Sequence, residues 1–150
     1  MNASLSAAKI RELAKALDDA IEGNNIEEIV AYFSDDCQIH LPAISLSGHE
    51  GLRRAINWMY RYVKEIVLVP NTIIIQGNIF FEEFTVKAKI DGRSIELKQA
   101  EVLEYGTDYK VKSIRLYFDR LQLARAVSSN FIDQIIIKRI TRAFLKGLSE

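Results

Sequence analysis

Residues 78–105 read NIFFEEFTVKAKIDGRSIELKQAEVLEY. Two runs rich in β-branched and aromatic residues flank Asp91-Gly92, and within each run apolar and polar side chains alternate. Alternation at a period of two marks a strand with one buried face. An Asp-Gly pair between two such runs marks a two-residue hairpin turn, because both central positions need positive φ. The turn sets the register: Ile90 pairs with Arg93, Ala88 with Ile95, Val86 with Leu97, Phe84 with Gln99 and Glu82 with Glu101. Phe80, Glu82, Phe84, Val86, Ala88 and Ile90 then share the inward face, with Glu83, Thr85, Lys87 and Lys89 opposite.

Residues 66–76 and 110–119 carry the same strand chemistry, and Pro70, Gly77 and Gly106 punctuate the series, so four antiparallel strands are expected. Residues 37–41 form a brief earlier strand that Pro42 ends, followed by a loop through Ser45. Helical spacing governs the rest. Ile10, Leu13, Ala14, Leu17 and Ile21 make one apolar stripe, with a serine available at its start and Gly23 after its end. Asn25 with Glu28, and Ser47 with Glu50, resemble capping boxes that open a short second helix and a third helix running to about Lys64. After Asp119 the helical period returns, with Phe131, Ile132, Ile135, Ile136, Ile140 and Phe144 forming a wide stripe that reaches Leu148. The expected class is α+β: a cone-shaped, curved antiparallel sheet against three N-terminal helices, plus an extra C-terminal helix. Residues 1–120 would be the cone and residues 121–150 a helical extension packed on it or on a dimer partner.

The chain has 150 residues, 49% hydrophobic and 27% charged, which suits one ordinary domain. Twenty basic and twenty acidic residues cancel, and no nucleic-acid motif appears, so no nucleic-acid partner is expected and any polyanion partner would need a local patch. Cys37 is the single cysteine, which excludes an internal disulfide and a cysteine-rich zinc site. The N-terminal MNASLSAAKI has no apolar signal core, and no apolar run approaches the roughly 20 residues of a membrane span; a cytoplasmic address is expected.

The turn register brings two carboxyl groups face to face. Directly opposed residues have Cβ atoms about 4.5 to 5.5 Å apart, so Glu82 and Glu101 cannot both ionise comfortably. Such a pair can share a proton and serve as acid and base, with Gln99 as a neighbouring polar contact. Two other roles fit the same residues: a place at the wet mouth of the cone, or satisfaction of a buried Arg, Lys or Tyr. His40 alternates away from the inward face, His49 falls in the first turn of the third helix, and no metal triad or cofactor motif is visible. Of Trp58, Met59, Tyr60 and Tyr62, helical spacing best admits Tyr60 inward. Arg115 and Tyr117 alternate outward from Ile114, Leu116 and Phe118, which suits an interface. Lys138, Arg139, Arg142 and Lys146 lie opposite the isoleucine stripe, a pattern also found in helices on membrane surfaces, although so wide a stripe is more often buried.

The order helix, short helix, Ser34-Asp35-Asp36, strand, Pro42, Gly48-His49-Glu50 helix, and strands closing on Ile114-Arg115-Leu116-Tyr117-Phe118-Asp119 resembles the SnoaL-like and ketosteroid-isomerase-like group of the nuclear transport factor two superfamily. The likeness covers roughly residues 6–120. It implies a cone with an apolar mouth and a homodimer formed through the outer sheet face. It also implies where working groups would stand. The base of ketosteroid isomerases falls at Leu41, the tyrosine of their oxyanion hole at Leu17, and their neutral aspartic acid at Glu101. The arginine and two aspartates of limonene epoxide hydrolases fall at Glu82, Phe84 and Leu116, and the base of polyketide cyclases at Leu116. Only Glu101 retains a matching carboxyl. The expected ligand is therefore a small, largely apolar molecule, contacted by Gln99, Phe84, Leu97, Leu41, Ile56, Tyr60, Leu116, Phe118 and Leu17, with Glu82 and Glu101 as candidate catalytic groups; the alternative is a non-catalytic homodimeric ligand-binding or dimerisation module.

Overall fold

A computed structural model describes residues 4–128 and 130–148, so residues 1–3, 129 and 149–150 lie outside the description. Helix α1 (Ala7–Glu22) starts at Ser6, whose hydroxyl accepts from the Lys9 amide, and buries Ile10, Ala14, Leu17 and Ala20. Helix α2 (Ile26–Ala31) opens on the expected Asn25 cap, with Asn25 and Glu28 bonded in both directions. Strand β1 (Phe33–Leu41) begins four residues before Cys37, and β2 (Ile44–Ser47) occupies part of the stretch read as a loop. Ala43 turns between them at φ 75°. Helix α3 (Gly48–Tyr62) follows, and here the expected capping box is absent: Ser47 makes no side-chain cap bond, and Gly48 leaves the strand at φ 70°.

Four long strands come next: β3 (Val63–Gln76), β4 (Ile79–Ile90), β5 (Arg93–Tyr105) and β6 (Val111–Phe118). The sheet order is β2-β1-β6-β5-β4-β3. Strands β3 to β6 are antiparallel as expected, whereas β1 joins β6 in parallel, with Ile39 beside Ile114. A parallel partner must return by a long crossover, which the chain from β2 through β5 supplies. Edge strand β3 shifts register twice against β4, once at Pro70, whose missing N–H is tolerated at an edge. Such bulges bend a strand and deepen the twist that curves the sheet over the helices.

The concave face holds two apolar clusters. One gathers α1, α2 and α3 around Phe33, Cys37, Ile39, Phe80, Leu103 and Val111. The other gathers Val63, Ile66, Phe84, Val86, Ala88, Ile90 and Leu97, covered by Leu123, Ala126 and Val127. Those three covering residues belong to α4 (Arg120–Val127), which lies in the stretch expected to be helical after Asp119 but is separate from the helix that follows, and it buries no residue fully. Its start is nevertheless written locally: the Asp119 carboxylate accepts from the amides of Leu121 and Gln122. Helix α5 (Phe131–Leu148) packs on α4 through Ile137. Within the single chain Phe131, Ile132, Ile135, Ile136 and Ile140 are exposed, so this stripe does not cap the cone; the side chains of Phe144 and Leu148 lie outside those described.

Candidate functional site

The Asp91-Gly92 turn has both residues at positive φ, 50° and 73°, and β4 and β5 pair from Ile90 with Arg93 to Ile79 with Glu104 without a shift. Glu82 therefore stands directly opposite Glu101. The same row continues to Ile73 on one side and Leu116 on the other. Both acids are buried, with 2% and 8% of their surfaces exposed. They sit where the two apolar clusters meet, between Phe80 and Phe84 on β4 and between Gln99 and Leu103 on β5.

A third acid reaches them from above. The Tyr60 hydroxyl donates to the Ile21 carbonyl at 2.7 Å, and the Leu68 amide donates to Glu22 at 2.7 Å, tying the end of α1 to α3 and β3. Asp18, one turn before Glu22, is thereby held over the sheet. One carboxylate oxygen from each of Asp18, Glu82 and Glu101 lies within 4.8 Å of the others. Among the described residues, no hydrogen bond or ion pair reaches these three groups. The reading in which a buried Arg, Lys or Tyr satisfies the glutamates thus has no counterpart in the structure.

The electrostatics follow from that isolation. Burial, and then the charges of Asp18 and Glu82, push Glu101 up to about 8. Burial, and then Glu82 and Glu22, push Asp18 up to about 7. Burial also raises Glu82. Three acids this close titrate as a set, so near neutral pH the set holds protons while a neighbouring oxygen can accept one. Tyr105 belongs to the same surroundings: it lies on the Glu101 face of β5, its hydroxyl is buried without a partner, and burial together with Glu101 and Asp18 keeps it protonated. Oxygens at this spacing are also within reach of a hard cation, whose remaining ligands waters can supply.

The other expected positions divide between core and surface. Leu17 and Ile56 are buried in the first cluster, and Phe84 and Leu97 in the second. Tyr60 packs against both. Gln99 is half-buried opposite Phe84 and Phe118. Leu41, Leu116 and Phe118 line a cavity of about 260 Å³ with His40, Pro42, Arg115 and Tyr117, apart from the three acids. His40 bonds the Ser45 hydroxyl, and His49 bonds the Phe33 carbonyl, so each histidine has a local structural partner. Cys37 is a buried core thiol raised by burial and by Asp36.

Asp18 and Tyr105 are the site residues that sequence reasoning missed. Asp18 follows Ala14 by four and precedes Ile21 by three, a place on the inward stripe that its charge disguised. Tyr105 shares its parity with Glu101 along β5.

Similar folds occur among solved structures. A nuclear transport factor two-like protein of unknown function from Burkholderia pseudomallei superposes with a TM-score of 0.74 at 17% identity, over 80% of this chain and 98% of that one. A ketosteroid isomerase-like protein from Catenulispora acidiphila, solved in complex with trimethylamine, gives 0.69 at 15% identity, over 77% and 91%. A putative SnoaL-like polyketide cyclase from Shewanella denitrificans gives 0.69 at 10% identity, over 78% and 95%. No curated protein matches the sequence. The profile of the SnoaL-like domain matches residues 14–114, a span that runs from the buried face of α1 to the middle of β6 and includes all three acids. With the helix-backed curved sheet and the profile in agreement, the chain belongs to the SnoaL-like domain family, within the nuclear transport factor two-like fold.

Proposed function

We propose that this domain binds a small, largely apolar molecule against the concave face of its sheet and moves a proton on it with the set Asp18, Glu82 and Glu101. The observation that supports this is an acid set, two of its three members buried, that no Lys, Arg or hydroxyl among the described residues pairs with, in surroundings that raise Asp18 to about 7 and Glu101 to about 8. A protonated carboxyl can donate while its neighbour accepts, and both forms coexist near neutral pH. Phe84 and Leu97 would supply the apolar wall, and Asp18, half-buried, keeps the set in touch with solvent. Work in the cytoplasm is part of the proposal.

The test is native mass spectrometry of the purified protein for a retained small molecule, beside the Glu82→Gln/Glu101→Gln variant. Loss or change of the retained molecule, with a changed pH profile of its binding, supports the reading. An unchanged molecule and an unchanged pH profile refute it.

A second reading is a non-catalytic homodimeric module. It is supported by the outer sheet face, where Val67, Val69, Ile74 and Tyr117 are exposed on alternating positions of β3 and β6. Under this reading Ile74→Asp yields a monomer by light scattering, while the acid variants leave the dimer intact.

A further inference from the structure

Charge is segregated along this chain. Residues 120–148 hold six basic side chains and one acidic one, a surplus of five, so the rest of a chain with zero net charge carries a deficit of five. Four of the six, Lys138, Arg139, Arg142 and Lys146, lie on α5 and are exposed. On the same helix Ile132, Ile136 and Ile140 recur every fourth residue, which makes one row, and Phe131 stands beside its start. That row faces outward: Phe131 is 78% exposed, Ile132 64% and Ile136 51%. Among the described residues of α5 only Ile137, on another side of the helix, is buried, against α4. No helix is long and apolar enough to cross a membrane among the described residues.

We infer that α5 is an interfacial helix that seats its isoleucine row in the surface of an anionic phospholipid bilayer while its basic residues reach the headgroups. An apolar row bordered by Lys and Arg is what such a surface recognises: the alkyl groups enter the acyl boundary, and the long basic side chains extend to the phosphates. A second copy of this chain suits the row less well. In a symmetric contact of α5 on α5 both copies contribute the same patch, so the surplus of basic side chains bordering the row is doubled within one interface. The acidic remainder of the domain would be repelled by the same lipids, which directs the contact to α5.

The experiment is flotation of the full chain with vesicles of phosphatidylcholine alone and of phosphatidylcholine mixed with phosphatidylserine, at low and high salt. Binding to the mixed vesicles only, weakened by salt, is expected. Ile132→Ser/Ile136→Ser should lower it by at least about tenfold, with circular dichroism unchanged because both residues are exposed. Arg139→Glu/Arg142→Glu should abolish it and leave the isoleucine row intact. Absence of flotation on both vesicle types overturns the inference, as does equal flotation of the wild type and the isoleucine variant. Concentration-dependent self-association that disappears in the isoleucine variant, without lipid binding, also overturns it and identifies a second copy as the occupant.

Discussion

Replacing Glu101 by glutamine should change how stability depends on pH as well as how large it is. In the fold this carboxyl rises from its ordinary 4.5 to about 8, through burial and the nearby Asp18 and Glu82. A raised carboxyl pKa means the folded state binds the proton more tightly than the unfolded state. Below about pH 4.5 both states are protonated and the group contributes no pH dependence. Between 4.5 and about 8 the unfolded chain releases the proton while the fold retains it, so stability falls as pH rises. The loss across that window is on the order of 1 kcal/mol per pH unit, shared with Asp18 and Glu82 because the three acids titrate as a set. Above about 8 the loss is complete. Glu101→Gln preserves the shape and cannot ionise. Any penalty from the new amide is the same at every pH, so the stability of the variant relative to wild type should climb through this window and then level off. Urea denaturation of both proteins at several pH values from 5 to 9 measures the difference directly. Parallel stability curves across the window would refute the view that Glu101 is held neutral by its surroundings.

Three further outcomes test the scaffold. Tyr60→Phe removes the hydroxyl that donates to the Ile21 carbonyl at 2.7 Å and should cost about 1 kcal/mol, read as a drop in Tm of roughly 2–4 °C. Gly92→Val meets no atom within 4 Å but must adopt φ 73°, so backbone strain alone should destabilise the fold by about 1–2 kcal/mol in chemical denaturation. Leu103→Ala empties a fully buried position of the first cluster and should cost about 2–5 kcal/mol with no change in secondary structure by circular dichroism.

The hairpin at the centre of the fold is legible because its determinants are local. A turn with both residues at positive φ and a strict period of two suffice to place Glu82 opposite Glu101, and the structure keeps that register. The stripe on α1 and the Asn25 cap are legible for the same reason. The Ser47 capping box fails because Gly48 at φ 70° takes the chain out of β2 by another route. Within the expected helical extension the separation of α4 from α5 is not legible, because α4 lies on the sheet through three half-buried residues and leaves no strong period.

What the sequence by itself determines is which side chains share a face: period, turn chemistry and caps act over a few residues and need no partner. The tertiary structure decides which faces meet. Parallel pairing of β1 with β6 depends on where the whole crossover ends. The closeness of Asp18 to the glutamate pair depends on Tyr60 and Glu22 anchoring α1 above the sheet. No local pattern encodes that approach, and the raised proton affinity of these acids follows from it, because both burial and the approach of a like charge are properties of assembled elements.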